Sequence, residues 1–173
     1  ASDVYKRQGM KLRSWEMWIK PGILPTRASE DEDPQTSIIY EQGGNTRGAS
    51  IFLAGTQAEN PTEADLWFMV WNRAETAWGG VLHQVGNDDT ASISTKVQSR
   101  ETYHIVLVME GQDDLTGTLT AYVNGNEVGK IDDGIGLLNA HTDAVAIGFA
   151  ANEVVTINGN SGAGTNGTNT ALY

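Results

Sequence analysis

The chain contains no cysteine in its 173 residues, which excludes a disulfide framework and any zinc site built on thiolates. Absence of cysteine does not exclude secretion, because a core of this size needs no covalent staples. Proline is scarce at 4 residues, and Lys and Arg together number 11 against 22 Asp and Glu, a formal net charge of −11. Phosphate binding depends on Lys and Arg, so nucleic acid is not an expected partner, and an anionic membrane surface is disfavoured for the same reason. No apolar run approaches the ~20 residues that a membrane helix requires, so membrane insertion is not expected. No stretch combines helical periodicity with helix caps, and there are no internal repeats. The three histidines His83, His104 and His141 lie far apart, without the i, i+4 spacing of a zinc helix. There is no Gly-X-Ser-X-Gly nucleophile elbow and no P-loop.

What the sequence does contain is 20 glycines with abundant Asn, Thr and Ser, the composition of an all-β chain with many turns. Its most informative stretch is Tyr103 to Lys130. Tyr103–Glu110 is rich in β-branched and aromatic residues that suit a half-buried pleated surface. Leu119, Ala121 and Val123 then alternate with Thr118, Thr120 and Tyr122, the period of two that a sheet with one buried face demands. Asn124-Gly125 follows, the strongest short-range hairpin signal, with Asn126–Lys130 as the returning strand. Further strands are expected at Ser14–Lys20, Ser37–Glu41, Ala49–Ala54, Asp65–Asn72, Gly79–Val85 and Ala91–Val97, and a buried strand at Ala144–Ala150.

The run from Tyr103-His104 through Tyr122-Val123-Asn124-Gly125 resembles the laminin G-like / concanavalin A-like family, whose members carry an aromatic-His pair and a Tyr-Val-(Asp/Asn)-Gly strand. Ser14–Pro21, SWEMWIKP, is similar to that family's early Trp-X-Lys-Pro strand, and Val145–Phe149, VAIGF, to its late Ile-Gly strand. The three segments occur in the family's order and span most of Ser14 to Phe149. The resemblance implies an all-β fold, a two-sheet antiparallel jelly-roll sandwich, and an extracellular or cell-surface location. The domain is expected over 10–157. Residues 1–9 read as a non-native or disordered leader, since ASDVYKRQ resembles a translated sequencing-adapter artefact. Residues 158–173 read as a Gly/Asn/Thr-rich loop leading to a truncated last strand, and the family's strand before Trp-X-Lys-Pro is missing or replaced.

Two kinds of site are expected. In Asp65–Asn72, DLWFMVWN, Leu66, Phe68 and Val70 point one way and Trp67, Met69 and Trp71 the other. A strand apolar on both faces is either central and doubly covered, or shows aromatics on an open face. On an open face, aromatic rings match the apolar faces of sugars while polar neighbours fix orientation. Trp67, Trp71, Asn72, Arg73 and Trp78, with Arg47 in a Gly-rich turn, are therefore the candidate ligand contacts, against the plainer reading of core tryptophan. Asn87, Asp88 and Asp89 in one turn, and Asp113 and Asp114 in another, could hold calcium, or be ordinary Asx turns. The acidic run Glu30–Asp33 lacks the spacing of a calcium loop and reads as a solvated segment.

The Glu-X-Asp-X-X-Glu pattern of concanavalin A-like glycosidases is absent, and neither Glu59–Asp65 nor Glu30–Asp33 has its spacing. The expected function is therefore non-catalytic recognition of a glycan or surface polysaccharide, as part of a larger secreted or surface protein of a microbe, with no required cofactor beyond optional calcium. Two other classes stay open. One is a structural or adhesive module that binds another protein chain through its sheet edges; the other is a fragment of a glycoside-active enzyme.

Overall fold

A computed structural model describes residues 9–29, 34–43, 47–57, 59–72, 90–112, 117–134, 138, 145–148, 154–156 and 159–161. The described residues form strands and no helix: β1 (Leu12–Ile19), β2 (Thr36–Gly43), β3 (Arg47–Gly55), β4 (Glu63–Asn72), β5 (Thr90–Gln98), β6 (Tyr103–Gly111), β7 (Gly117–Val123), β8 (Asn126–Gly134), β9 (Val145–Ile147), β10 (Val154–Thr156) and β11 (Gly159–Ser161). Two antiparallel sheets result. One has four strands in the order β1-β6-β7-β8, the other five in the order β5-β4-β3-β2-β9. They are called the narrow and the wide sheet below. β10 and β11 pair only with each other, and they straddle residue 157, where the sequence placed the end of the domain. The expected strand at Gly79–Val85 lies outside the described residues, as does the acidic run 30–33.

The alternating patterns set the faces. Ile105, Leu107 and Met109 of β6 and Leu119 and Ala121 of β7 are buried, and they meet Ile51, Leu53, Leu66, Phe68, Val70, Ile93 and Val97 of the wide sheet in one apolar cluster. Side chains from both inner faces thus build a single core, the arrangement of a β-sandwich. The sheets come together most closely where β8 crosses β5. A Cβ on Gly129 of β8 would collide there with the Ile93 side chain of β5, so only glycine fits. The Asn124-Gly125 turn between β7 and β8 has φ values of 52° and 79°, the left-handed pair that a two-residue hairpin requires.

β2 departs from simple alternation. Its register against β3 shifts between Ile38 and Tyr40, which inserts Ile39 as a bulge. Ile38 faces one side, while Ile39 and Tyr40 both turn into the core. Every residue of β2 is buried.

Candidate functional site

The outer face of the wide sheet is built from every second residue of β2 to β5. The strand registers place Glu63, Asp65, Trp67, Met69 and Trp71 of β4 beside Ala54, Phe52, Ser50 and Gly48 of β3 and beside Gln98, Lys96, Ser94 and Ser92 of β5. This face is graded along the strand. Met69 and Trp71 at one end of β4 join Ile38, Phe52 and Ala54 of β2 and β3 in a second apolar cluster, separate from the core between the sheets. β10 lies against β2 and β3 without hydrogen-bonding into the wide sheet. Both edges of β2 and β3 are already paired and their inner face holds the core, so β10 covers the outer face. At the other end the row is polar. Lys96 Nζ lies 3.0 Å from Asp65 Oδ1 and 3.4 Å from Glu63 Oε1, and Gln98 Nε2 donates to Glu63 Oε2 at 3.2 Å. The hydrogen bond that Lys96 donates to Asp65 is the main reason its ammonium is held above its usual pKa.

Trp67 sits at the boundary of the two ends. Its ring lies parallel to Phe52, with centroids 6.2 Å apart and planes 3° from parallel. It packs against the second apolar cluster and remains partly exposed. Its indole N–H is buried without a hydrogen-bond partner among the described residues. Further along the face, at Asp65 and Lys96, a cleft of about 390 Å³ is lined also by Arg27, Ala28, Ser29, Gly55 and Thr56. Part of its floor is the segment before β2, which is pinned to the end of β3: Gln35 N–H donates to Thr26 O at 2.8 Å, and Gly55 N–H to Gln35 O at 2.9 Å.

The other expected contacts divide as follows. Trp71 is fully buried at 0 % exposure and offers no ring face to a ligand. Four residues along a strand separate it from Trp67 by about 13 Å, enough to place one under cover and the other at the open end. Arg47 and Asn72 are brought together as cross-strand partners at the far ends of β3 and β4. Arg73, Trp78 and all five expected calcium ligands, Asn87, Asp88, Asp89, Asp113 and Asp114, lie outside the described residues. Among the described residues, no group of three or more His, Asp or Glu side chains gathers as a metal site. Glu63 and Asp65 share one face of β4, but a single ammonium lies against both, which makes an ion cluster rather than a pair of carboxylates flanking a substrate.

The narrow sheet carries an aromatic group that the sequence reading did not single out. Trp18 is 71 % exposed on its outer face. Its ring lies 4.8 Å from that of His104, and His104 Nε2 is 2.8 Å from Glu16 Oε1. His104 also has a structural role, since its backbone N–H donates to Asn124 Oδ1 at 2.9 Å and ties β6 to the hairpin turn. The signal was present in the alternation of β1, where Glu16 and Trp18 stand on the face opposite Trp15, Met17 and Ile19.

The structure therefore defines an all-β protein of two packed antiparallel sheets, with one graded aromatic and polar face. No protein-family model matches the chain, and a search of curated proteins gave no match.

Proposed function

We propose that the chain is a non-catalytic recognition module that binds carbohydrate at the open end of the wide sheet's outer face. Trp67 is the stacking platform, and Asp65, Lys96, Glu63 and Gln98 supply donors and acceptors beside it. The observation that carries this reading is the position of Trp67: an indole stacked beside Phe52 on the neighbouring strand and followed along β4 and β5 by a charged, hydrogen-bonding row. Saccharide sites join an apolar ring face to a few fixed polar groups. The finer fold reading, a jelly roll of the laminin G-like / concanavalin A-like type, belongs to the same proposal, as does an extracellular location. It is supported by the pairing of β1 with β6 and by the chain's passage from the wide sheet at β5 to the narrow sheet at β6. Calcium at Asn87–Asp89 or Asp113–Asp114 is an optional part of the mechanism.

The test is a polysaccharide and glycan array probed with the whole chain, in calcium and in EDTA, followed by calorimetry on any hit with Trp67→Ala and Asp65→Asn. The expected result is binding that Trp67→Ala abolishes while the thermal transition stays cooperative. A folded wild-type chain that binds nothing on the array, or a Trp67→Ala variant that binds equally well, overturns the proposal.

A further inference from the structure

β1 is the outermost strand of the narrow sheet among the described residues, and its open edge has a definite chemistry. The N–H and C=O of one residue in an extended strand point to the same side, and the side alternates along the chain. Gly111 N–H donates to Lys11 O at 2.6 Å, so Lys11 and, by alternation, Arg13, Trp15, Met17 and Ile19 direct their backbone groups toward β6. Met10 faces the other way and exchanges two hydrogen bonds with Leu138, of 2.9 and 3.0 Å. Past that single bridge, the backbone groups of Leu12, Ser14, Glu16 and Trp18 point out along the open edge.

The wide sheet extends one strand beyond this edge. Tyr40 turns into the core and pairs with Ile147 of β9, and Gln42 pairs with Val145. Ile147 and Val145 therefore lie on the face directed toward the narrow sheet, yet they are 72 % and 41 % exposed, while Ala146 on the opposite face is buried. Inward-facing side chains in solvent mean that no described strand of the narrow sheet stands over β9. A cavity of about 720 Å³ opens between the two layers here, lined by Trp15, Met17, Ile19, Ile39, Tyr40 and Ile147 among others.

We infer that this edge is a docking site for a single extended segment of another polypeptide, added as a strand beside β1. A strand lies about 4.8 Å from its neighbour, which places the newcomer directly above β9. Its alternate apolar side chains would cover Ile147, Val145 and Met17. Its other side chains would point outward beside Glu16, where basic residues suit a chain of net charge −11. A second copy of this chain does not fit through the same strand. Two β1 edges side by side would drive the partner's wide sheet into the space that β9 and β2 already fill. The overhang thus admits a strand and excludes a sheet, a form of strand addition in which main-chain bonds give affinity and alternate side chains give specificity.

The experiment is amide hydrogen exchange by NMR on the whole chain, with and without a synthetic peptide of alternating valine and lysine as long as β1, 8 residues. In the free chain, the amides of Leu12, Ser14, Glu16 and Trp18 exchange fast and those of Arg13, Trp15, Met17 and Ile19 slowly. The peptide slows the first set, and a peptide of the same composition in block order does not. Ser14→Pro removes an edge donor where an edge strand tolerates proline, and weakens peptide binding by about tenfold or more. If that variant does not fold, Ile147→Lys carries the same test at a side chain already in solvent. Protection of the even-numbered amides without peptide means the chain itself already fills the edge, and overturns the inference. So does a dimer that Ser14→Pro dissociates, equal binding of the block peptide, or no binding of the alternating one.

Discussion

Replacing Tyr40 with phenylalanine tests the buried hydrogen bonding around Gln42, on the open side of the core. The Tyr40 hydroxyl donates to Gln42 Oε1 at 2.8 Å, and Trp15 Nε1 donates to the same oxygen from the narrow sheet at 3.4 Å. Gln42 is fully buried, so its amide oxygen relies on protein donors in place of water. The bond from Trp15 is long for an N–H donor, so the phenol is the stronger of these two partners. Tyr40→Phe keeps the ring packing and removes that shorter bond, a loss of about 1–3 kcal/mol. With a urea slope of about 2 kcal/mol/M, the unfolding midpoint falls by roughly 0.5–1.5 M. The same substitution has a pH signature. Burial pushes the Tyr40 phenol above its usual value of 10.0. Below pH 10 the phenol is protonated in both folded and unfolded chains, and its contribution is fully present. As pH rises through and past 10, the unfolded chain releases this proton first, so the unfolded state gains and stability is lost until the folded phenol ionises as well. The phenyl ring of the variant has no proton to release, so the gap between wild type and variant narrows as pH rises above 10. Urea melts at neutral pH and at intervals above pH 9 measure both effects. A midpoint unchanged at neutral pH, or a gap that stays constant through the alkaline range, refutes the account.

Three further substitutions follow from the packing. Gly129→Ala forces a methyl against Ile93 where β8 crosses β5 and costs about 1–3 kcal/mol. Gly129→Ala costs less in an Ile93→Ala background, which lacks the Cγ2 methyl that the new Cβ meets, and strictly additive losses in urea melts would show that the two residues do not touch. Gly125→Ala meets open space, so its cost is only that of the positive φ of 79°, roughly 1 kcal/mol. Lys96→Ala removes contacts to two carboxylates but changes stability by less than about 1 kcal/mol, because the ammonium is largely in solvent. A larger loss in denaturant melts at moderate salt would mean that the cluster is desolvated.

The strands were largely legible because their chemistry is local. The alternation of Leu66, Phe68 and Val70 with Trp67, Met69 and Trp71 separates two faces, and both prove apolar in the structure. Asn124-Gly125 adopts the positive φ values its residue types favour. What covers a face was not legible, since it depends on segments remote in the chain. Both alternatives read for β4 coexist: Trp71 is covered, on a face that β10 crosses from more than eighty residues away, and Trp67 is partly open. The β2 bulge was hidden as well, because Ile38-Ile39-Tyr40 is apolar throughout and any parity satisfies it. β9 reads as a buried strand from VAIGF, yet Val145 and Ile147 face solvent. Their exposure follows from the unequal widths of the two sheets, a property of topology that no short window contains.

That inequality also argues that the molecule has two separate surfaces. Among the described residues the exposed large apolar side chains are Leu12, Trp18, Ile23, Val145 and Ile147, and all but Ile23 belong to β1 or β9. Single apolar residues scattered over a surface need no explanation, whereas a cluster beside unpaired backbone marks an interaction site. The face at Trp67 has the opposite character: β4, which carries the ring, is paired on both edges, the ring stacks with Phe52, and the polar groups beside it are side chains. A ligand there is held by ring stacking and side-chain bonds, and one at β1 by main-chain bonds. The wide sheet's β3 and β2 stand between the two in strand order. Trp67→Ala is therefore expected to leave binding of the alternating valine–lysine peptide within about twofold of wild type, and Ser14→Pro to leave any glycan binding equally untouched, since distant sites without shared partners behave additively. Calorimetric titration of each variant with both ligands decides the matter. Loss of both activities in either variant, from a chain that still melts cooperatively, would mean that the two surfaces form one site.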